Sequence, residues 1–392
     1  MNNRLLSILF IFTISIGYGQ SSIDSALTLI SKNNKHIKSA VHFVTMKQLD
    51  NRSGLTLENP TISADYMIGR PVSGGNQLDF LAVQGFEFPT VYAKKGALAD
   101  QQNLLLEMEL IELRQNVLLE AKLVILEIIA LNKQREILQE RTNKAQRIVD
   151  DYQKRYSVGD TTVLVLNKSK IHLLSHKSRA RRLASEITIK SEHLAELNGG
   201  IPIEVNSNTF PLVPNVEPFE QLEAQIEQHD PALKALHQQS SISESQLALS
   251  KAVALPNFEL GYHYQSVLGQ QFNGAHLGIT IPILEHKNRV KTERFRVELT
   301  KIKINEHETE HYYEIKELYH SYENLKVELN EYTTALEGLN SEVLLKTALD
   351  LGEISFINYV LDLNYYYDAY DELSSIERDY HIAIAKLYKY QL

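Results

Sequence analysis

The sequence predicts a mainly α-helical protein with a small β part, built as two tandem repeats of helix, β-hairpin, long helix and shorter helix. Two observations carry this prediction. Landmarks recur along the 392 residues at nearly constant spacing, and within each half the periodicity changes from helical to alternating and back. Repeat 1 is predicted over residues 20–198 and repeat 2 over 218–392. The segment between them, 199–217, contains prolines that oppose helix formation and is predicted to be a linker.

The duplication is visible as four pairs of similar positions, although residue identity within each pair is low. The offset is 196 residues for the first two pairs and 193 residues for the last two. The pairs are ISKNNKHIKSA from Ile30 with IEQHDPALKAL from Ile226, NPTISADYMIG from Asn59 with LPNFELGYHYQ from Leu255, FEFPTVYAKKG from Phe86 with ITIPILEHKNR from Ile279, and Gly159 with Gly352.

The N-terminal segment, residues 1–19, is predicted to be a secretory signal peptide, because Arg4 precedes an apolar run that ends at small residues. The alternative is a retained membrane anchor, but the run is shorter than the roughly 20 residues that a spanning helix needs. The chain has no cysteine, which excludes disulfides, a thiolate metal site and lipidation of an N-terminal cysteine. Its net charge of -9 argues against nucleic acid as a partner.

Each repeat contains two segments with strand-like alternation. Strands are predicted at about 60–69 and 78–89 in repeat 1, and at about 256–265 and 275–284 in repeat 2. Strands of about ten residues with apolar side chains on one face fit a transmembrane β-barrel. They fit equally well two soluble hairpins packed on helices. Because four strands are too few for a pore and isolated hairpins are marginal, both interpretations require oligomerisation.

Long helices follow the hairpins. One is predicted at about 90–156, on the order of 100 Å at 1.5 Å per residue, and its counterpart lies at about 286–350. The helical regions before each hairpin and after each long helix are about half as long. Charged residues lie among the leucines, so each helix has one apolar stripe and other faces that are exposed to solvent. This pattern favours a hollow or open assembly of rods.

Gly159 and Gly352 are predicted to reverse each long helix into the shorter helix that follows it, because glycine readily adopts the unusual dihedrals at a helix end. Thr161 or Thr162 in the first repeat, and Ser355 in the second, are the predicted N-caps of the following helices. Each repeat therefore has one helical tip at the end of the long helix away from the strands.

One motif indicates different chemistry. HETEH, at His307–His311, matches a pattern that places two imidazoles on one helix face for zinc, with Glu308 as general base. The candidates for a third ligand are Glu314, His320 and Glu323. The surrounding sequence is rich in histidine and glutamate, so a charged outer helix face explains the match, and no substrate-cleft domain is evident. We therefore predict no enzyme activity and no cofactor, and keep His307 and His311 as candidates for incidental metal binding.

Strand pair, long helix, glycine tip and short helix, repeated behind a signal peptide, resemble the TolC-type outer-membrane efflux proteins. The resemblance covers essentially the whole chain after the signal peptide and rests on LPNFELGYHYQ, LGITIPILEHKNR, YSVGDTTVLVLNKSKIHLL and LDLGEISFINYVLDLNYYYDAYDEL. It implies a homotrimer whose three chains form a twelve-stranded barrel in the outer membrane of a Gram-negative bacterium and a helical tunnel in the periplasm.

The resemblance also implies partners and site residues. The tunnel would receive cargo from an inner-membrane pump, commonly of the resistance-nodulation-division type, through a periplasmic adaptor protein. The adaptor-docking tips would be Val158, Gly159, Asp160, Thr161, Leu351, Gly352, Glu353 and Ile354. Asn358 and Asp362 are nearest to the acidic positions that often narrow the closed tunnel in that family. Since Asn358 is uncharged, only Asp362 would supply carboxylates, and a solvated helix-face acid is the alternative interpretation.

A rival interpretation is a periplasmic helical-hairpin adaptor or a structural coiled-coil protein. Adaptors usually have one long hairpin per chain, flanked by domains rich in short strands. The duplicated hairpin with amphipathic strand pairs favours the channel. The sequence does not specify the cargo, which a partner pump would select.

Overall fold

The computed structural model describes residues 18–71, 74–213, 215–282 and 288–392, so the predicted signal peptide lies almost entirely outside the described residues. The structure is mainly α-helical with one small sheet, which confirms the predicted fold class. The elements are α1 (Tyr18–Asn33), α2 (Lys35–Arg52), β1 (Thr61–Ile68), β2 (Asn76–Phe86), α3 (Pro89–Ser157), α4 (Val163–Leu197), α5 (Phe219–His229), α6 (Pro231–Ala252), β3 (Asn257–Val267), β4 (Gln270–Thr280), α7 (Arg289–Leu336), α8 (Ser341–Asp350) and α9 (Phe356–Leu387).

The helical region before each hairpin is divided in two. The first break is at Asn34, between α1 and α2, and the second is at Asp230, between α5 and α6. These breaks are 196 residues apart, the same offset as the sequence repeat. At the second break the Asp230 carboxylate caps α6 and Pro231 occupies its first turn, where its missing N–H costs no helical hydrogen bond.

The prediction of one continuous helix at 286–350 was wrong in its C-terminal part. α7 ends at Leu336 and α8 begins at Ser341. Gly338, between them, has φ +75°, the left-handed conformation that commonly ends a helix. Because the helical spacing of apolar residues resumes beyond this glycine, the sequence pattern did not indicate the break. The counterpart helix, α3, runs without a break from Pro89 to Ser157.

The turn of the second hairpin is shorter than predicted. β4 begins at Gln270 rather than near residue 275, and only Leu268 and Gly269 separate it from β3. Their φ angles of +50° and +79° are both positive, as a two-residue type I′ turn requires. Residues 270–273 are exposed and mostly polar, which resembles a loop in sequence, yet their backbone pairs with β3.

The four strands form one antiparallel sheet in the order β1-β2-β3-β4. The central pairing, β2 with β3, joins the two predicted repeats, with Phe86 opposite Phe258 and Gln77 opposite Val267. Among the described strands, β1 and β4 are the edges of the sheet.

The chain divides into two compact units, and each contains segments of both predicted repeats. We call them the helical unit, formed by the chain up to Lys35 with Asn116–Pro218 and Glu317–Leu392, and the sheet unit, formed by His36–Gln115 and Phe219–Lys316. The predicted repeats are therefore not separate compact bodies. The boundaries of the two repeats stay a prediction, based on the sequence, that the chain consists of two tandem copies.

The core of the helical unit includes the most apolar segment of α3. Ile125, Leu126, Ile128 and Ile129 are each at most 2% exposed. A helix segment that is apolar around much of its circumference requires burial on several sides. Among the described residues, no helix combines the length and the apolar character that a membrane span requires.

In the sheet unit, α3 packs on α6. Val91 and Leu98 of α3 form a buried cluster with Ile242, Leu249 and Ala252 of α6. The helix after the first hairpin and the helix before the second are thereby joined in one core.

Candidate functional site

The first tip is a tight helix end closed by two backbone hydrogen bonds. The amide of Gly159 donates to the carbonyl of Tyr156 at 3.1 Å, and that of Asp160 donates to Arg155 at 2.8 Å. This pair of bonds is the Schellman motif, and Gly159 has the left-handed φ of +79° that the motif needs. Thr162 then caps α4, its side-chain oxygen accepting from the third residue of that helix at 3.4 Å.

The second tip repeats this geometry. The amide of Gly352 donates to Leu349 at 3.1 Å, and that of Glu353 donates to Ala348 at 2.9 Å. Gly352 has φ +76°. Ser355 caps α9 by accepting from the backbone three residues on at 3.2 Å. The predicted N-caps Thr162 and Ser355 are therefore both present, and the two tips share one backbone design.

The residues around each glycine carry similar side chains. Val158 and Leu351, which precede the glycines, are 79% and 70% exposed. An acid follows each glycine, Asp160 in the first tip and Glu353 in the second, and both are exposed. Each tip therefore presents an apolar side chain beside a negative charge, a combination that one complementary surface can recognise twice. Thr161 and Ile354, the remaining predicted tip residues, are half-buried.

The two tips are supported by one hydrophobic cluster in the helical unit. Ile148 of α3, Leu349 of α8, and Phe356 and Tyr359 of α9 are buried in it. Burial raises the pKa of Tyr359 to about 12, and nearby acidic groups add to this. Because residues before and after both tips share this cluster, the position of each tip is fixed by packing.

Asn358 and Asp362 lie one turn apart on α9, and both side chains are exposed. Their sequence neighbours Tyr359 and Leu363 are each 2% exposed within the tip cluster. The two candidate constriction residues therefore occupy a face of α9 turned away from that cluster. Their role stays a prediction.

The strand register places most apolar residues of the four strands on one face of the sheet, which we call the apolar face. The apolar residues on the other face are Met67, Leu81, Val83, Val267 and Phe272. Ile62 lies opposite Ala82, and Tyr66 opposite Leu78. The same alignment continues through β2, β3 and β4, because directly opposite residues in antiparallel strands share a face. Members of the apolar face are Ile62, Ala64, Tyr66, Ile68, Leu78, Phe80, Ala82, Phe86, Phe258, Leu260, Tyr262, Tyr264, Ala275, Leu277 and Ile279.

The opposite face of the sheet carries its acidic and histidine side chains. Asp79 and His263 approach to 2.6 Å between their side-chain atoms Oδ1 and Nε2. On the next strand pair, His276 Nε2 lies 3.7 Å from Glu259 Oε2. The predicted alternation thus gives one mainly apolar face and one mixed face that carries the acidic and histidine side chains.

The HETEH motif lies on α7, and its histidines meet an acid from another helix. His307 Nε2 and His311 Nε2 are 3.1 and 3.8 Å from Oδ2 of Asp230. Asp230 is distant in sequence, so the local pattern gave no signal of it. Glu308 is exposed. Among the described residues, the group of potential metal ligands does not include the third ligands predicted from sequence, Glu314, His320 and Glu323.

A buried polar group in the helical unit was also missed. Arg141 is 5% exposed, pairs with Asp371 at 2.7 Å, and places its guanidinium carbon 4.1 Å from the centre of the Tyr367 ring. His176, 4% exposed, has its pKa lowered to about 4 by burial and by the neighbouring His172. The available signal was position, since Arg141 occupies the same α3 stripe as buried apolar residues further along the helix.

No family model and no curated protein matches this sequence. Solved structures do match, and CusC, whose structures concern folding and transmembrane channel formation, has a TM-score of 0.80 at 12% identity over 96% of this chain and 95% of that chain. VceC, an outer-membrane protein of Vibrio cholerae, has a TM-score of 0.78 at 13% identity, over 94% of this chain and 96% of that chain. The CmeC outer-membrane channel of Campylobacter jejuni has a TM-score of 0.73 at 14% identity, over 94% of this chain and 85% of that chain. The chain has the fold of these channel proteins, which confirms the resemblance to the TolC type at the level of fold.

Proposed function

We propose that three copies of this chain form an outer-membrane channel, the exit duct of an efflux system in a Gram-negative bacterium. Each chain contributes four strands to a barrel in the membrane and its helices to a periplasmic tunnel. The observation that carries the proposal is the strand register, which collects most of the apolar side chains of the four strands on one face and the acidic and histidine side chains on the other. The fold shared with VceC and CmeC supports it, because these are an outer-membrane protein and an outer-membrane channel.

The exposure of the apolar face is the physical reason to place it in lipid. In the single chain Leu277 is 77% exposed, Ile68 71% and Ile62 67%. A contiguous apolar surface of this kind is unfavourable in water and is typical of an interaction site. Lipid contact would stabilise it by about 25 cal/mol per Å² removed from water. The ionisable groups of the opposite face would then line a water-filled interior.

The two sheet edges give the reason for a trimer. β1 and β4 each have one side without a strand partner among the described strands. Unsatisfied backbone groups are expensive inside a membrane, so such edges must be closed. Pairing β4 of one chain with β1 of the next closes three four-stranded sheets into one barrel of twelve strands and leaves no edge.

The tips are the proposed contact sites for a periplasmic adaptor. Their support is the matched design described above: the same Schellman closure, an exposed apolar residue before each glycine, and an acid after it. Three chains would present six such tips to a ring of adaptors. An inner-membrane pump, of the resistance-nodulation-division type, is the proposed source of cargo, and the chain itself performs no enzymatic step. Asp362 is proposed to narrow the closed tunnel, with Asn358 one turn away.

Single cysteines on β4 test the membrane placement, because the chain has no cysteine of its own. Leu277 lies on the apolar face and His276, beside it, lies on the polar face. In outer-membrane preparations, a membrane-impermeant maleimide should modify His276→Cys and should leave Leu277→Cys unmodified until the protein is denatured.

The soluble-hairpin alternative predicts the reverse order. In the single chain the Leu277 residue is 77% exposed, whereas the His276 side chain is 34% exposed. If the apolar face lay in water, Leu277→Cys would therefore react at least as fast as His276→Cys. That result would overturn the proposed channel.

A further inference from the structure

Helix α7 and the junction of α5 and α6 bring three potential metal ligands together within the sheet unit. Asp230 lies at the junction of α5 and α6, and His307 and His311 lie four residues apart on α7, which places them on one helix face. Their nearest ligand atoms, one carboxylate oxygen and two imidazole nitrogens, all lie within 4.8 Å of one another. The three side chains are largely buried, with 10%, 27% and 21% exposure respectively.

The ligand atoms lie close to the spacing that a shared ion requires. His307 Nε2 forms a hydrogen bond with Asp230 Oδ2 at 3.1 Å, which a bound ion would replace. His311 Nε2 is 3.8 Å from the same atom, too far for a hydrogen bond. A tetrahedral zinc ion about 2.1 Å from each ligand requires ligand atoms about 3.4 Å apart. The observed separations lie on either side of that value, so small side-chain rotations would accommodate the ion.

The carboxylate is already oriented by the backbone. Asp230 Oδ1 accepts from the amide of Ala232 at 2.9 Å, and Oδ2 accepts from the amide of Leu233 at 3.2 Å. Oδ2 also forms the hydrogen bond with His307, and a bound ion would take the place of that bond while the backbone bond remains. Hydrogen bonds of this kind hold ligating carboxylates in position in many metal sites.

The surroundings are negatively charged as well. Glu223 of α5 interacts electrostatically with His311, and burial together with the charge of Glu227 raises the pKa of Glu223. With Asp230, these acids form a negatively charged environment that favours a bound cation. The two histidine rings are stacked, with centroids 5.4 Å apart and planes at 13°.

We propose that Asp230, His307 and His311 bind one zinc ion per chain, which fastens α7 to the junction of α5 and α6. Two nitrogens and one oxygen form a ligand set that suits zinc, whereas magnesium and calcium prefer oxygen ligands. Glu308 of the HETEH motif is exposed, so the general base of the protease pattern is not at the site, and water would complete the four-coordinate shell. The inference rests on the sheet unit alone and does not depend on the proposed channel.

Zinc titration of the full-length protein tests the site. The protein is purified in detergent without a histidine tag, stripped with a chelator that is then removed, and titrated with zinc chloride in a calorimeter. The wild-type protein should bind one zinc per chain, and magnesium chloride should give no such binding. Zinc should also raise the temperature at which the wild-type protein unfolds.

Two variants and one control identify the ligands. Asp230→Asn retains a good N-cap for α6 but loses the charged ligand, so it should fold and bind zinc weakly. His311→Gln should also weaken zinc binding, by at least about 10- to 100-fold. Metal affinity usually falls by this factor when a residue that hydrogen-bonds to a ligand is lost, and His311 is itself a ligand. His320→Gln changes an exposed histidine elsewhere on α7 and should bind as the wild type does. Absence of stoichiometric binding, or wild-type affinity in a folded Asp230→Asn or His311→Gln, would overturn the proposal.

Discussion

Replacing Gly352 with alanine should speed backbone hydrogen exchange at the second tip about fivefold. Gly352 has φ +76°, and a Cβ built on it meets no atom within 4 Å. The cost is therefore backbone strain alone, on the order of 1–2 kcal/mol for a left-handed residue with a side chain. Alanine also restricts the unfolded chain, which offsets about 0.4–1 kcal/mol. The remainder, about 1 kcal/mol, corresponds to a fivefold change in a local opening equilibrium.

The assay is hydrogen exchange measured by mass spectrometry on the folded protein, with rates corrected for the intrinsic rates of the two sequences. The amides at 352 and 353 report the opening, because they form the two bonds that close the tip. Gly159→Ala should give a similar acceleration at the first tip, since Gly159 has φ +79° and equally open surroundings.

Gly96→Ala is the matched control. Gly96 lies within α3, and its added Cβ also meets no atom within 4 Å, but its φ is not in the left-handed region. Alanine should therefore stabilise α3 there by about 0.5–1 kcal/mol and slow local exchange. Wild-type exchange in Gly352→Ala, or equal acceleration in Gly96→Ala, would refute the strain argument.

Three further predictions concern the sheet and the helical core. Leu268→Gly should raise the thermal unfolding midpoint in detergent slightly. It relieves about 1–2 kcal/mol of strain at φ +50°, and the freer unfolded chain offsets about 0.4–1 kcal/mol of this; a lower midpoint would contradict the argument. Gly261→Ala should lower the free energy of unfolding by about 1–3 kcal/mol, because its Cβ would lie 2.3 Å from the Ala82 carbonyl oxygen. Gly274→Ala has open space around the added Cβ and should leave the unfolding midpoint unchanged. The pKa of the buried His176 is lowered to about 4, whereas in the unfolded chain this side chain gains a proton below about pH 6.5, so the free energy of unfolding should fall by up to about 3 kcal/mol between pH 6.5 and 4. Denaturant titrations of His176→Gln should show a smaller fall over the same pH range. An equal fall would count against a buried neutral imidazole.

Local patterns in the sequence were sufficient for much of the fold. The alternation of Phe258, Leu260 and Tyr262 with polar residues predicted a strand that the structure has at Asn257–Val267. Gly159 and Gly352 predicted helix ends, because few other residues adopt a left-handed φ without strain. These features depend on neighbours in the chain, which a sequence displays directly.

Features that depend on distant pairing were not predictable in the same way. The pairing of β2 with β3 joins strands from different halves of the chain, and no local pattern specifies its register. Asp230 was overlooked as a partner of His307 for the same reason. Arg141 and His176 were missed because a polar residue in a helix is ordinarily exposed. The position of Arg141 in the apolar stripe of α3 is a signal of burial, but its partners Asp371 and Tyr367 are distant in sequence.

The central claim is that the chain works as a trimer in the outer membrane. The most direct measurement is the oligomeric mass of the protein after fractionation of the cell envelope and extraction with mild detergent, by light scattering corrected for bound detergent. The account predicts that the protein is found in the outer-membrane fraction and has a mass three times that of the mature chain. A monomer released in the soluble periplasmic fraction would contradict it.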